Sequence, residues 1–177
     1  MNLFSIIQSD LKHYRATGFT KFLLVVIFNQ SFRLLLNYRL GNYLAQRRNF
    51  IYNLLILFLK RRQIRRYSCD IAYSAKIGKN ISFPHPIGIV IGTNTEIGDY
   101  VMIWQHVTFG SKGAESKVYP KIGNHVKIFS HAQVIGGITV NDHAKVGASS
   151  VVLSDVPRGA VAVGSPARII NSTNNTN

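Results

Sequence analysis

From residue 122 onward, apolar positions recur every six residues. Ile122, Ile128, Val134, Val140, Val146 and Val152 are all β-branched. Four residues after each come Val126, Ala132, Ile138, Ala144, Ser150 and Val156, mostly small or aliphatic. A fixed short period is the mark of a solenoid. The pattern also runs upstream, at Ile71 and Ile77, then at Ile91, Ile97, Ile103 and Phe109. Six residues suit one short strand and one tight turn. Three such units make one coil of a triangular prism, and neighbouring coils pair as parallel strands ~4.8 Å apart. The phase slips twice, since Ile77 and Ile91 stand 14 residues apart and Phe109 and Ile122 stand 13 apart. The second slip holds the polar stretch Ser111–Lys117, a loop thrown out from the prism. The first places His85 between Pro84 and Pro86. A titratable group at a break in a scaffold is a candidate for chemistry.

Residues 1–67 follow a helical period instead. Phe4, Ile7, Leu11 and Tyr14 fall at i, i+3, i+7 and i+10, one face of an amphipathic helix. Further apolar segments run from Phe22 to Phe28, through Leu34, Leu35, Leu36, Leu40 and Leu44, and from Phe50 to Leu59. The expected organisation is a helical region over 1–67, a β-solenoid over 68–170 and a disordered polar tail over 171–177.

Charge changes this picture in one place. The chain carries a net +14, and residues 1–67 hold 12 Lys/Arg against one acid, Asp10. Residues 68–177 hold 9 against 6. The partner implied by the basic helices need not be the partner of the solenoid. Neither Phe22–Phe28 nor Phe50–Leu59 approaches the ~20 apolar residues needed to cross a bilayer. Two readings of the arginine-flanked helices stay open. They pack on each other and on the solenoid, or they lie against the inner face of an anionic cytoplasmic membrane, each basic residue contributing about 1 kcal/mol. Nucleic acid is not an expected partner, because the basic residues alternate with aliphatics rather than with stacking aromatics. Cys69 is the only cysteine, and Asp10 and Lys12 interrupt any secretory leader. A cytoplasmic location is therefore expected.

Several segments together carry a resemblance. They are Asp70-Ile-Ala-Tyr-Ser-Ala-Lys-Ile-Gly78, His85-Pro-Ile-Gly-Ile-Val-Ile-Gly92, Pro120-Lys-Ile-Gly123, Val146-Gly-Ala-Ser-Ser-Val-Val152 and Gly164-Ser-Pro-Ala-Arg168. Over about residues 69–170 the chain resembles the hexapeptide-repeat acyltransferases, and among them the serine acetyltransferase-like branch. The resemblance implies a mainly β fold, a left-handed parallel β-helix preceded by α-helices. It implies acetyl-CoA as donor with no metal, and a homotrimer with active sites between subunits. The helical region is shorter than in true serine acetyltransferases. It looks more like the small relatives that O-acetylate bacterial surface polysaccharides, of the colanic acid acetyltransferase type.

In that branch a histidine at this break is the general base, oriented by an acid 15 residues earlier, the spacing of Asp70 and His85. The chemistry suits those residue types. A hydroxyl attacking a thioester must lose a proton, which needs a base of pKa near 7. A carboxylate accepting the other ring N–H fixes the tautomer, and turn N–H groups can stabilise the oxyanion. True serine acetyltransferases place an aspartate before this histidine and an arginine-histidine pair before the Pro-Lys-Ile. Here those positions hold Pro84 and Val118-Tyr119. With that clamp missing, the expected acceptor is a sugar hydroxyl of a surface polysaccharide or its lipid-linked precursor. The alternatives are serine O-acetyl transfer in cysteine biosynthesis, and a non-enzymatic solenoid binding membranes or partners. Pro84, His106 and Tyr119 are the acceptor-side candidates. The resemblance lays CoA along Gly110, Ser111, Ser130, Lys145 and Ala148, with Gly164, Pro166 and Arg168 near the nucleotide end. His125, His131 and His143 are expected to share one corner of the prism. No carboxylate joins their register, so no metal site is expected. Cys69 is expected to be a packed thiol rather than an acyl carrier.

Overall fold

A computed structural model describes residues 2–15, 18–47, 49–113 and 115–170, so the tail expected to be disordered lies outside the described residues. Four helices come first: α1 (Leu3–His13), α2 (Phe19–Phe28), α3 (Gln30–Ala45) and α4 (Phe50–Tyr67). The side chains of Asn2, Asn29 and Asn49 accept from the N–H groups of Phe4, Phe32 and Ile51. They satisfy donors that a first helical turn leaves open. Ser68, in the left-handed region at φ 51°, ends α4 and turns the chain into the solenoid.

Strands β1 (Asp70–Ile71), β2 (Lys76–Ile77), β3 (Val90–Ile91), β4 (Glu96–Ile97), β5 (Met102–Ile103), β6 (Thr108–Gly110) and β7 (Lys121–Ile122) follow. Then come β8 (Lys127–Ile128), β9 (Gln133–Ile135), β10 (Thr139–Val140), β11 (Lys145–Val146), β12 (Val151–Val152), β13 (Val161–Gly164) and β14 (Ala167–Ile170). They form three faces of a left-handed prism. The first is β1-β3-β6-β9-β12, the second β2-β4-β7-β10, and the third β5-β8-β11-β13-β14. Pairing is parallel throughout, except for the closing β13–β14 hairpin. Every member of the six-residue repeat, from Ile71 to Val152, is buried. The period is thus the inward position of each strand, and the outward neighbours Lys76, Lys121, Lys127 and Lys145 are exposed.

The first phase slip has a defined place. Ser82 bridges to Met102, and Ile81 and Phe83 are buried, so the third face already exists in the first coil. The surplus residues fall in the corner after it, between Pro84 and Ile89. His85 stands there.

Corners need residues in the left-handed region, where asparagine and histidine are enriched. One corner uses Asn80, Tyr100, His125 and His143 at φ 57–61°. It is tied by N–H donation from Tyr100 to Lys79, His125 to Asp99 and His143 to Asn124. The next uses Gly88, His106, His131 and Ser149, tied from His106 to Ile87, His131 to Gln105 and Ser149 to Ser130. The expectation that His125, His131 and His143 share a corner is corrected here. A six-residue step moves to the next corner, and only the 18-residue step from His125 to His143 returns to the same one. Their rings stack at 4.9 Å, while His131 lies 4.7 Å from His106.

The helices cap the first coil through buried polar contacts. Asp10 and Arg39, 1% and 4% exposed, pair at 3.0 Å. Arg39 also donates to the carbonyls of Ile77 and Gly78, and Asp10 accepts from the N–H of Asn80 at 2.7 Å. The apolar stripe of α1 therefore does less than its spacing predicts. Phe4 is exposed, and the residue α1 buries is Asp10. On α3, Gly41 admits the ring of Tyr73, which a Cβ there would meet at 2.2 Å.

Candidate active site

His85 is exposed on a corner that half-buried and buried groups hold from both sides. Before it, the Phe83 N–H donates to Ser31 Oγ at 2.9 Å and the Tyr14 hydroxyl donates to the Ile81 carbonyl at 2.9 Å. Burial pushes the Tyr14 phenol up to about 12, so it stays a neutral donor. After it, Cys69 Sγ accepts from the Ile89 N–H at 3.4 Å and has the carbonyls of Tyr67 at 3.2 Å and Pro86 at 3.6 Å as alternative acceptors for its one proton. The imidazole thus stands on a fixed base, as a positioned catalyst requires. It opens on a groove of about 540 Å³ between the corner and the α2–α3 junction, lined by Phe28, Asn29, Gln30, Ser31, Pro84 and Ile87 among others.

His106 packs directly beneath this corner. Its N–H donates to the Ile87 carbonyl at 2.9 Å, and a Cβ at Gly88 would lie 2.2 Å from His106 Nδ1. A ridge continues coil by coil through Ser130 and His131 to Ala148 and Ser149. At its end the Gly164 N–H donates to Ser150 Oγ at 3.1 Å. At ~4.8 Å per coil this ridge is about 20 Å long. Pro166 and Arg168 stand exposed on the hairpin beyond it.

Other candidates lie elsewhere. Gly110 accepts from the Gly136 N–H at 2.8 Å, and Ser111 Oγ donates to Gly113. Tyr119 covers Gly92 near them, its ring 2.4 Å from where a Cβ would stand. Lys145 projects from the third face in register with Lys127. One chain therefore brings together Pro84, His85, His106, Ser130, Ala148 and Gly164. It does not bring Gly110, Ser111, Tyr119 or Lys145 to them.

Asp70 is the outward residue of β1, and it pairs with Lys60 of α4. Lys60 also donates to the Ile71 carbonyl at 3.2 Å. Among the described residues no hydrogen bond joins Asp70 to His85. Lys60 escaped the sequence reading because only the seating of α4 on β1 brings it there.

Among the described residues four further grooves border the cap, and the one of about 720 Å³ gathers His13, His125 and His143. One of about 620 Å³ is lined by Arg61, Arg62, Arg65, Arg66, Phe58, Tyr67 and Gln30, and so shares Gln30 with the His85 groove. The largest, about 1040 Å³, runs between α1, α3 and the second face and includes Arg39, Lys76, Glu96 and Lys121 but no histidine. It lacks a base suited to neutral pH.

Cys69 is buried, and burial pushes its thiol up. The folded protein should react with a disulfide reagent at pH 8 at least tenfold more slowly than the same protein in guanidinium, which a timed thiol titration measures.

No family model matches the chain. A serine acetyltransferase of Helicobacter pylori strain 26695 is 40% identical over 151 residues, covering 82% of this chain and 84% of the relative. A solved structure described as serine acetyltransferase in complex with CoA superimposes with a TM-score of 0.81 at 33% identity, covering 95% of this chain and 70% of the other. Soybean serine acetyltransferase complexed with serine gives a TM-score of 0.82 at 34% identity, covering 95% and 69%. These findings overturn the expected sugar acceptor of a surface polysaccharide. The near-equal shares covered show that the Helicobacter relative is of similar length. A short helical region therefore does not separate this chain from serine acetyltransferases. By sequence and by fold, the chain belongs to the serine acetyltransferase family, left-handed β-helix acyltransferases that use acetyl-CoA.

Proposed function

We propose that this chain transfers the acetyl group of acetyl-CoA to the hydroxyl of serine, with His85 as general base. The observation that carries the reading is His85 itself, fixed on its corner at the head of the ridge and open to a groove. Acetyl-CoA supplies an activated acyl group. His85 takes the hydroxyl proton as the new C–O bond forms, and returns it to the sulfur as the C–S bond breaks. Atoms and charge balance without an acyl-enzyme. Asp70 orients the imidazole once its carboxylate turns from Lys60.

In this reading the ridge through Ser130 and Ala148 to Gly164, Pro166 and Arg168 receives the extended arm of CoA. Gly110, Ser111, Tyr119 and Lys145 reach the same groove only from a neighbouring copy. A homotrimer with three intersubunit sites supplies that neighbour. Pro84 and His106 wall the acceptor site. The Asn29 amide NH2 and Gln30 offer it polar groups in place of an aspartate and an arginine. Residues 68–170 carry the chemistry in the cytoplasm, and residues 1–67 cap it.

The test is release of the CoA thiol from acetyl-CoA with and without L-serine. Serine-dependent release saturating with serine is expected. Release that serine does not raise would refute the proposal.

A further inference from the structure

The cap exposes what helices of a globular protein ordinarily bury. α2 contains no buried residue although eight of its ten are apolar, with Phe19 and Phe28 75% and 70% exposed. On α4, Ile51, Leu54, Leu55 and Phe58 are exposed at helical spacing. The same stripe continues as Arg61, Arg62 and Arg65. Phe50 and Leu57 beside it are 75% and 66% exposed. Val26 and Ile27 of α2, Arg33 and Leu36 of α3 and Arg62 of α4 line one cleft of about 330 Å³. The two apolar helices therefore flank α3 on a shared side. An exposed apolar surface of this extent, rimmed by polar groups, marks an interaction site.

Charge selects the occupant. Arg61, Arg62, Arg65 and Arg66 line one groove with no carboxylate among its lining residues. The only acid of residues 1–67 is Asp10, buried against Arg39. A second copy pressed face to face about a two-fold axis would set arginines against arginines. A bilayer rich in anionic phospholipid instead offers phosphate oxygens to the guanidinium forks and acyl chains to the apolar stripe. Among the described residues no single helix is long and apolar enough to cross a membrane; α2 and α3 together reach that length and composition but are bent by 81° at Asn29.

We propose that the α2–α4 face docks on an anionic phospholipid surface, with the apolar stripe in the interface and the arginine groove on headgroup phosphates. Gln30 lines both that groove and the His85 groove, so docking sets the catalytic corner close to the membrane.

The test is sedimentation of the full chain with vesicles of phosphatidylglycerol and phosphatidylcholine, against vesicles of phosphatidylcholine alone. Preferential pelleting with the anionic vesicles, weakened by salt, is expected. Changing Arg61, Arg65 and Arg66 to Gln weakens it about five-fold per arginine, from about 1 kcal/mol each. Phe50→Gln with Leu57→Gln weakens it too, and neither set moves the melting temperature, since all five side chains are exposed. Equal pelleting with both vesicle types, or binding indifferent to both sets of changes, overturns the proposal. So does absent vesicle binding together with a fall in solution mass by light scattering in Phe50→Gln/Leu57→Gln, which would make the face a contact between copies.

Discussion

His85→Ala lowers the rate of acetyl transfer to serine by roughly 10²–10⁴-fold, the contribution of a positioned base, and leaves the melting temperature within about 2 °C of the parent. The two halves of this result have separate causes. The imidazole is exposed and takes part in no side-chain hydrogen bond among the described residues. The corner is held by Ser31, Tyr14 and Cys69, none of which touches the ring through these bonds. Removing the ring therefore costs chemistry and not packing. Asp70→Asn separates orientation from charge. If Asp70 fixes the tautomer, the rate falls although the side chain keeps its size. Steady-state rates with a thermal melt of each variant decide the matter. A fall in rate accompanied by a large fall in melting temperature would assign His85 to the scaffold instead.

Arg39→Ala destabilises the protein by about 3–5 kcal/mol, the usual consequence of stripping one partner from a buried ion pair. In a chain of this size that lowers the melting temperature by roughly 10 °C. Arg39 is bound to three groups on two elements: Asp10 of α1 and the carbonyls of Ile77 and Gly78 at the end of β2. Its loss leaves the Asp10 carboxylate buried with only the Asn80 N–H. The lesion sits where the helical cap meets the first coil, at the corner before the one that carries His85 and across the third face from it, so the folded fraction should keep its turnover rate. The paired change Asp10→Asn with Arg39→Met removes both charges and should recover much of the stability. Differential scanning calorimetry of the parent, Arg39→Ala and the paired variant measures both the loss and the recovery.

The solenoid was legible because its inward positions admit little besides aliphatic side chains, and each coil repeats the demand. The corner at Pro84–Ile89 was legible for the same reason, as a failure of the period with a histidine inside it. The assignment of histidines to corners went astray at a point of geometry, since a triangular coil returns to a corner after three units and not after one. The cap was read only as helices. What seats it is a buried aspartate and a buried arginine 29 residues apart, and no helical periodicity can announce a contact between faces of different helices. Lys60 on Asp70 is another such contact. Pro84 and Val118-Tyr119, standing where clamp residues are expected, point away from serine, and the comparison with serine acetyltransferases overrides them. The groove beside His85 is lined by other polar residues, among them Asn29 and Gln30.

The central claim is that a hydroxyl of serine is the acetyl acceptor at His85. The most direct measurement is release of the CoA thiol from acetyl-CoA as a function of L-serine concentration, in the parent and in His85→Ala. The buried Cys69 adds little to the thiol signal over the assay. The account predicts release that rises with serine to a plateau in the parent, with O-acetylserine formed in equal amount, and loss of nearly all of it in the variant. Release that ignores serine, or a variant as active as the parent, would contradict it.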